Sequence, residues 1–493
     1  MPEKFYITTP IYYVNDKPHI GHAYTSIVAD FLARYHRERG SETFFLTGTD
    51  EHGQKNVEAA EKTGKTLEEL SDENSANFKA LKKSLNLSWD DFIRTSDKEK
   101  HWPGAEELWK RIELSGDIYE DEYEGLYCVG CEAFLTEKEL VDGLCPIHKK
   151  VPEVLKEKNL FFKLSKYSDK IASKIESGEL NILPETRRNE ILSLIKSGLR
   201  DVSFSRPKEK LSWGIPVPGH ENQTMYVWCD ALSNYITAVG FGRDEKMFKK
   251  WWPADAQILG KDILRFHAAI WPGMLLSAGL PLPKNIYVHG FITIEGEKIS
   301  KSLGNVINPN ELALKYGTDA LRYYLLREIP SHEDGDFSIE RFDERYRADL
   351  ANGLGNFASR VSALAEEVGD IKNMEVETDV ASEIEIARKN IDEAISQFRI
   401  HDAVSLIWGL IHFGDGYVDE KKPWESKDTQ VIFNLVVLLD NIALLVAPVV
   451  PTSAAKITEA IRWSSKDTLS VKKIDALFPR LDEENPGGHA KLK

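Results

Sequence analysis

The sequence predicts an α/β protein in which a doubly wound parallel sheet is split by an insertion and followed by an all-helical domain. Short apolar strands, predicted at residues 43–47, 224–228 and 257–259 among others, alternate with amphipathic helices on both sides of a cysteine-containing segment, a pattern typical of parallel sheets. An acidic run at residues 120–124 introduces that segment, which interrupts the alternation. In the segments 350–368, 384–398, 403–413 and 431–446, apolar residues recur at helical spacing, which predicts a helical bundle.

Length and composition narrow the class of protein. The 493 residues exceed one typical domain, and 42% hydrophobic with 29% charged residues is a globular composition. The most apolar run, residues 431–450, is about as long as a membrane span, but Asn434, Asp440 and Asn441 interrupt it, which favours a buried helix. Four cysteines and no secretory signal predict a cytoplasmic location without disulfides. The net charge of −16 does not suggest a nucleic-acid partner, which would have to bind local basic patches.

The first chemical signal is FYITTPIYYVNDKPHIGH, residues 5–22. It predicts a strand at 5–8, an irregular turn, and a helix that ends before Gly40. Such a helix start favours phosphate, because its free N–H groups and dipole attract anions. Instead of a glycine-rich fingerprint it carries His19, Gly21 and His22: the glycine permits close approach, and the imidazoles can donate to phosphoryl oxygens. Taken alone, this string also fits a purely structural helix start.

A second signal follows the apolar run at residues 286–288. Residues 291–294 and the turn at 295–296 predict a hairpin, and the loop beyond it carries Lys298 and Lys301 among serines and a glycine. Two lysines three apart on such a loop form a mobile cationic clamp. KISKS alone fits a solvated basic loop better, but the two strings in this order, about 280 residues apart, are a specific pair.

The insertion holds a third signal. Cys128 and Cys131 form one C-x2-C pair, and Cys145 and His148 form a C-x2-H pair after a thirteen-residue spacer. Each pair can aim two ligands at one tetrahedral centre. Unrelated buried thiols are the alternative, but three of the four cysteines lie here, so we predict one structural zinc ion. Cys229, the fourth, is predicted to be a core thiol.

With these strings the sequence resembles the class I aminoacyl-tRNA synthetases, and within them the methionyl-tRNA synthetase family, over essentially the whole chain. Residues 19–22 match the first class motif, and residues 298–302 the second, with Ile299 where methionine is commonest. The single zinc knuckle formed by the C-x2-C and C-x2-H pairs resembles that of one bacterial-type subgroup. The resemblance implies a Rossmann-type catalytic domain in two halves, 1–116 and 224–290, a connective insertion with the knuckle at 117–223, a KISKS-loop and stem-contact region at 291–349, and a helical anticodon-binding domain at 350–493.

The resemblance also assigns expected roles to individual residues. The ATP-binding positions fall on His19, Gly21, His22, Gly260, Asp262, Ile292, Lys298 and Lys301, of which the two histidines and two lysines would be catalytic. The methionine-binding positions fall on Ile11, Tyr13, Asp50, Trp228, Ala231, Leu232, Tyr235, Ile263 and His267. Their chemistry is coherent, since Asp50 can pair with an α-ammonium. Each contact between the thioether sulfur and an aromatic ring contributes ~0.3–1.5 kcal/mol. Leu232 stands where some subgroups carry proline.

The anticodon-binding positions of the family fall on Asn356, Arg360 and Trp424. Asn356 and Arg360 are four residues apart on a predicted helix and so share a face. An amide, a guanidinium and an indole are groups that read unpaired bases by hydrogen bonding and stacking. Without the resemblance, ordinary solvated residues would be the favoured interpretation.

The implied reaction is attack of the methionine carboxylate on the α-phosphorus of ATP-Mg²⁺, which gives methionyl-adenylate and pyrophosphate. The methionyl group then passes to the 2′-hydroxyl of the 3′-terminal adenosine of tRNA(Met), elongator and initiator alike. The implied cofactors are one structural Zn²⁺ and the Mg²⁺ that accompanies ATP. Many relatives append an OB-fold dimerisation domain that this sequence lacks, so we expect a monomer with no membrane association.

Two other classes of protein compete with this interpretation. The synthetases for leucine, isoleucine and valine carry an editing insertion far larger than the roughly 110 residues present here. The cysteine enzyme places a zinc ligand near the first motif, and no cysteine precedes Cys128. A non-catalytic binding protein on the same scaffold would be expected to lose some of His19, His22, Lys298 and Lys301, which are all present. Methionine-dependent ATP–pyrophosphate exchange separates all of these.

Overall fold

Strands and helices alternate along the chain up to His289, and helices predominate beyond it, as the sequence predicts. The computed structural model describes residues 3–130, 133–135, 137, 140–146, 149–299, 305–464 and 468–481. The chain divides into a first unit of Met1–Pro18, Gly40–Lys82 and Ser88–His289 and a second unit of His19–Arg39, Lys83–Leu87 and Gly290–Lys493. The predicted domain boundaries remain predictions.

The strands of the described residues, in chain order, are β1 (Lys4–Tyr13), β2 (Glu42–Asp50), β3 (Asp91–Arg94), β4 (Ile118–Cys128), β5 (Ala133–Leu135), β6 (Glu153–Phe162), β7 (Asn181–Leu183), β8 (Val202–Ser203), β9 (Ser205–Pro207), β10 (Pro216–Val217), β11 (His220–Met225), β12 (Ala256–Gly260), β13 (Asn285–His289), β14 (Ile292–Ile294), β15 (Glu297–Lys298), β16 (Gly335–Phe337), β17 (Ile371–Lys372), β18 (Ile461–Ser464) and β19 (Thr468–Val471).

The α-helices are α1 (Ile20–Glu38), α2 (Gln54–Thr63), α3 (Leu67–Ser84), α4 (Trp102–Leu114), α5 (Ser168–Glu176), α6 (Glu185–Lys196), α7 (Val227–Thr237), α8 (Glu245–Trp251), α9 (Trp271–Ser277), α10 (Pro309–Tyr316), α11 (Thr318–Glu328), α12 (Ile339–Arg345), α13 (Asn356–Val368), α14 (Thr378–Ser396), α15 (Ile400–Lys421), α16 (Pro423–Ser426), α17 (Thr429–Val446) and α18 (Pro451–Ala460). Two π-helical stretches, Phe266–Ile270 and Tyr346–Gly355, precede α9 and α13.

A parallel sheet of six strands, in the order β3-β2-β1-β12-β13-β7, is the centre of the first unit. Its central strands are buried on both faces, as parallel sheets require, with Tyr6, Ile7 and Thr8 of β1 all at 0% exposure. The strand order reverses between β1 and β12, and ligands of doubly wound sheets bind beyond the carboxyl ends of the strands at such a point. Asp50 and Gly260 are the last residues of β2 and β12.

The strand predictions are confirmed in part. Strands β1, β2, β12 and β13 lie where the apolar runs predict them, whereas β3 and β7 were not predicted because each is only three or four residues long. The predicted strand at 224–228 is wrong. Strand β11 ends at Met225, pairs antiparallel with β9 and β10 outside the central sheet, and the chain enters α7 at Val227.

The long strands β4 and β6 pair antiparallel from Ile118 opposite Phe162 to Tyr127 opposite Glu153, with β5 and β8 at their sides. The acidic run of β4 lies opposite lysines of β6, and Glu120 pairs with Lys158 at 2.6 Å. These cross-strand pairs offset the like-charge repulsion along β4. The segment that follows returns to the central sheet, since β7 pairs with β13.

In the second unit, β14 and β15 form the predicted hairpin, whose turn residues Glu295 and Gly296 have φ values of 54° and 76° as a tight I′-type turn requires. The helical predictions are confirmed by α13, α14, α15 and α17. Among the described residues, α17 is the one helix long and apolar enough to cross a membrane, and 61% of it is buried inside the protein, as expected for a core helix. For the tail at 484–493 the sequence predicts disorder, and these residues lie outside the described part of the structure.

Candidate functional site

The two predicted catalytic histidines cap the start of helix α1. His19 is the N-cap residue, and its Nδ1 accepts the backbone N–H of Gly21 at 3.1 Å. In return, Nδ1 of His22 accepts the backbone N–H of His19 at 3.1 Å, and the two rings stack with their centroids 3.8 Å apart. A Cβ at Gly21 would lie 2.9 Å from Cε1 of His19, so the folded-back ring requires glycine there.

This reciprocal cap fixes the tautomer of both rings. Because each Nδ1 accepts a backbone N–H, the proton of each neutral imidazole must lie on Nε2. Burial, and then the neighbouring His19, lowers the pKa of His22 well below its usual value, so its ring stays neutral. Two Nε2–H donors without fixed charge therefore stand side by side at a helix N-terminus, which suits contacts to phosphoryl oxygens.

The second motif lies in the same unit. The backbone N–H of Ile20, at the start of α1, donates to the carbonyl of Ile307 at 3.1 Å, a few residues beyond the KISKS loop. The hairpin before the loop is anchored by Asp336, whose Oδ1 accepts the N–H of Gly296 at 2.9 Å and the hydroxyl of Thr293 at 2.8 Å. The loop residues 300–304, with Lys301, and the side chain of Lys298 lie outside the described part of the structure.

Four predicted methionine-binding residues of the first unit contact one another in an aromatic cluster, which we call the aromatic pocket: Tyr13, Trp228, Tyr235 and His267. Tyr13, the last residue of β1, meets the indole of Trp228 edge-on at 6.4 Å. Trp228 meets the ring of His267 edge-on at 6.1 Å, and Tyr235 donates its hydroxyl to Nε2 of His267 at 2.7 Å. The structure thus brings together side chains from β1, α7 and the π-helical stretch before α9. The remaining predicted aliphatic positions are Ile11, Ala231, Leu232 and Ile263, of which Ala231 and Leu232 are buried on α7 and Ile11 and Ile263 are partly buried.

The hydrogen bonds from Tyr235 and to Ile263 determine the protonation state of His267. Nδ1 of His267 lies 3.0 Å from the carbonyl of Ile263, so it must carry a proton and donate. Nε2 is then the acceptor for the Tyr235 hydroxyl, and the imidazole is neutral. Burial lowers the pKa of His267 to about 4, an effect that the bond to Ile263 only partly offsets. The aromatic pocket therefore presents a neutral wall, as a thioether side chain needs.

This pKa shift predicts a pH-dependent stability. Between pH 6.5 and 4 the unfolded chain protonates His267 while the folded chain does not, so the free energy of unfolding falls as the pH falls. At pH 4 the loss from His267 should reach about 3 kcal/mol relative to pH 7.5. Urea unfolding of wild type and His267→Gln at both pH values measures it. The wild type should lose more stability than the variant, and equal losses would contradict a neutral His267.

Asp50 and Glu51 follow one another at the end of β2, and the structure distinguishes them. Glu51 is fully buried and paired with Arg94, whose Nε and Nη2 lie 2.6 and 2.9 Å from its two oxygens; Glu51 also accepts from Thr49 at 2.8 Å. Asp50 is 2% exposed, stands opposite Tyr13 in the β1–β2 register, and its Oδ1 accepts the N–H of His52 at 3.4 Å. Asp50 is thus the carboxylate at the aromatic pocket, while Glu51 serves the neighbouring ion pair.

The predicted adenosine-binding residues fall in both units. Gly260 ends β12, and Asp262 is exposed in the short helical turn that follows it in the first unit. Ile292 is buried on β14 in the second unit. The binding of adenosine by these three residues remains a prediction.

Of the four predicted zinc ligands, two are described. Cys128 ends β4 and is 3% exposed, and Cys145 is 0% exposed. Cys145 sits in a tight turn, with its N–H donating to the carbonyl of Lys150 at 2.9 Å and its carbonyl accepting from Lys149 at 2.8 Å. Cys131 and His148 lie outside the described residues, and within those residues no group of three or more His, Cys, Asp or Glu suited to a metal occurs. Cys229 is a buried core thiol, as predicted.

The three predicted anticodon-binding residues occur in the second unit. Asn356 is exposed at the start of α13, and Arg360 lies one turn further along the same helix. The guanidinium carbon of Arg360 is 5.5 Å from the ring centre of Trp424, which is 45% exposed at α16. Nη2 of Arg360 is held by Asp419 at 2.9 Å. The structure therefore brings the guanidinium into cation–π distance of a partly exposed indole.

Sequence reasoning assigned no role to four residues that contact predicted site residues or one another, namely Phe266, Asp230, His52 and His101. Phe266 stacks on Trp228 with ring centroids 3.8 Å apart and an interplanar angle of 9°. His52 and His101 both bond to Asp230, which lies among the predicted pocket residues of α7. Phe266 was detectable as the neighbour of His267 and His52 as part of the polar string after β2, whereas the pairing of both histidines with Asp230 joins distant parts of the chain.

A parallel sheet whose strand order reverses between β1 and β12, a histidine cap at α1 and the KISKS string are each features of the class I tRNA synthetases. The family model described as tRNA synthetases class I (M) matches residues 5–151 and 137–362. Methionine–tRNA ligase of Caldanaerobacter subterraneus is 42% identical over 513 residues, covering 98% of this chain and 80% of the relative. Methionine–tRNA ligase of Thermotoga maritima is 42% identical over 481 residues, covering 94% of this chain and 76% of the relative.

A solved structure of the same family has a similar fold. Mycobacterium tuberculosis methionyl-tRNA synthetase in complex with methionyl-adenylate is similar with a TM-score of 0.90 at 37% identity, over 97% of this chain and all of that one. The chain belongs to the methionyl-tRNA synthetase family. The α/β fold with its parallel sheet and helical C-terminal region is the fold of that family.

Proposed function

We propose that this protein ligates methionine to tRNA: it activates methionine with ATP to methionyl-adenylate and then charges tRNA(Met), initiator as well as elongator. The observation that supports this best is the near full-length similarity to methionine–tRNA ligases, together with intact class strings at residues 19–22 and 298–302. The methionine carboxylate attacks the α-phosphorus, the bond to the bridging oxygen breaks, and pyrophosphate leaves.

The residues have distinct parts in this reaction. His19 and His22 donate their Nε2–H groups to the α-phosphoryl oxygens as the negative charge spreads over them. Lys298 and Lys301 bind the leaving pyrophosphate, and Gly260, Asp262 and Ile292 hold the adenosine. Asp50 pairs with the methionine ammonium, and the aromatic pocket encloses the thioether. ATP would bring its Mg²⁺, which would offset part of the phosphate charge. Catalysis on this view is positioning and charge stabilisation.

The test is ATP–pyrophosphate exchange by the purified wild-type protein. Exchange should require methionine and should not be supported by leucine, isoleucine, valine or cysteine at the same concentration. Transfer to tRNA is then measured with a CAU-anticodon transcript. Exchange driven by another amino acid, or none with any, would refute the proposed activity. We also propose that the enzyme is a monomer located in the cytoplasm. Sedimentation of the purified protein measures its oligomeric state directly.

We further propose that Cys128, Cys131, Cys145 and His148 hold one structural zinc ion. The two described ligands fit such a site, because both are buried thiols and Cys145 lies in a tight turn that can aim its sulfur. When bound, zinc would crosslink the β4 end to the Cys145 turn, a fold-stabilising contribution.

Zinc content provides the corresponding prediction. Metal analysis of the wild type should find one zinc per chain, and Cys145→Ser should lose most of it because a four-ligand site loses a thiolate. Cys229→Ser is the matched control, since Cys229 is equally buried but lies outside the insertion. It should retain full zinc content. Wild-type protein free of zinc after expression in zinc-supplied medium would remove the proposed site.

A further inference from the structure

A buried carboxylate of the first unit lies between two imidazoles. Asp230 is 1% exposed, and its Oδ2 lies 2.5 Å from Nδ1 of His52. Its Oδ1 lies 2.6 Å from Nε2 of His101, whose Nδ1 in turn lies 2.8 Å from the hydroxyl of Thr237. The carboxylate accepts from both rings, so each of its oxygens has a strong, short hydrogen bond.

The three side chains come from three separate elements. His52 follows β2, two residues after Asp50. His101 is the residue before α4, and Asp230 lies in the first turn of α7, directly beside Ala231. The carboxylate thus connects the loop that carries the proposed ammonium partner to the helix that carries Trp228 and Tyr235.

The loop that carries Asp50 is also held by hydrogen bonds from side chains elsewhere in the first unit. Nδ2 of Asn56 donates to the carbonyls of Asp50 and His52 at 3.2 and 2.9 Å, and Nε1 of Trp213 donates to the carbonyl of Glu51 at 2.5 Å. These bonds hold the backbone of the loop in place. The bond from His52 to Asp230 adds a direct connection from the loop to helix α7.

Helices α4 and α7 are fixed against each other independently of the carboxylate. A Cβ at Gly104 would lie 2.5 Å from the carbonyl oxygen of Phe241 and 2.6 Å from Cγ2 of Thr237, so the helices approach at glycine distance. His101 therefore supports Asp230 from a rigid neighbour. Loss of His101 should cost stability, whereas loss of His52 or Asp230 should release the loop from α7.

We propose that Asp230 is a positioning residue for methionine, which sets the distance between Asp50 and the aromatic pocket through its bond to His52. The proposal rests on the function proposed above. Asp230 has no contact with substrate in this role. A small displacement of a binding group costs affinity steeply, so the connection determines how well ammonium and thioether are bound at the same time.

Three variants separate this role from a general contribution to folding. Asp230→Asn keeps the volume but presents an amide N–H to one imidazole, and His52→Gln removes the ring at the loop. Both should raise the Kd for methionine about 10- to 100-fold, while the KM for ATP changes less than twofold. His101→Gln should lower the melting temperature and leave the Kd for methionine within about threefold. His220→Gln is the control, because His220 also pairs with a carboxylate, Glu113 at 3.0 Å, but at a half-exposed position.

Methionine binding is measured by isothermal titration calorimetry, and ATP dependence by pyrophosphate exchange, alongside melting temperatures. If Asp230→Asn does not fold, His52→Gln decides the question. An unchanged methionine Kd in His52→Gln, or a parallel loss of ATP affinity, overturns the proposal. Wild-type protein that binds methionine without exchange would contradict the proposed function alone, and wild-type protein that does not bind methionine contradicts both.

Discussion

Replacing Asp50 by asparagine should weaken methionine binding about 100-fold. Asp50 is nearly inaccessible at the end of β2, opposite Tyr13, and the neighbouring wall of the pocket is neutral because His267 is unprotonated. An ammonium group bound there without a carboxylate would be left buried and uncompensated, at a cost of about 3 kcal/mol or more. Calorimetry with methionine measures the loss directly, since asparagine preserves the size of the side chain.

Further measurements test whether the Asp50→Asn substitution affects methionine binding alone. The KM for ATP in pyrophosphate exchange should change little, because Asp50 is assigned to the amino acid alone. Methionine analogues that lack the α-amino group should bind wild type and Asp50→Asn equally weakly. Glu51→Gln is the contrasting variant: its carboxylate holds Arg94, so it should reduce the melting temperature rather than the selectivity for the ammonium. Equal loss of methionine and ATP affinity in Asp50→Asn would assign Asp50 to folding instead.

Replacing Trp424 or Arg360 by alanine should reduce kcat/KM for tRNA charging about 10- to 100-fold and leave methionine-dependent pyrophosphate exchange nearly unchanged. Trp424 is 45% exposed beside the guanidinium of Arg360, and stacking of an unpaired base on such an aromatic contributes roughly 1–3 kcal/mol. A guanidinium adds hydrogen bonds to base edges. Charging and exchange are therefore measured on the same preparations with a CAU-anticodon transcript.

Two matched controls come from the same unit. Trp463 is 47% exposed, and Trp463→Ala should charge tRNA as the wild type does. Arg399 pairs with Asp402 at 3.0 Å as Arg360 pairs with Asp419, and Arg399→Ala should also be neutral. A wild-type enzyme that charges transcripts equally well after its anticodon bases are changed would exclude the anticodon role of Arg360 and Trp424.

Local chemistry and periodicity were sufficient for much of this protein. The histidine and lysine strings each lie within a few residues, and although either string alone was ambiguous, the two in this order indicated phosphate chemistry and the family resemblance. Helices such as α14 and α17 repeat their apolar residues over several turns, and strands such as β1 and β13 each contain a short apolar run. These features depend on neighbours along the chain, which is why the sequence by itself determined the α/β class, the helical C-terminal region and the family.

Tertiary structure decided what depends on residues far apart in the chain. Asp50 and Glu51 are adjacent carboxylates, and only the bond from Arg94 to Glu51 assigned them to different tasks. Asp230 lies 178 residues from His52 and 129 from His101, so no spacing rule could pair them. Strands β3 and β7 are too short to be recognised without the partners that hydrogen-bond to them. The proton positions on His19, His22 and His267 likewise follow from their hydrogen-bond partners, because a ring tautomer is set by geometry that residue type does not specify.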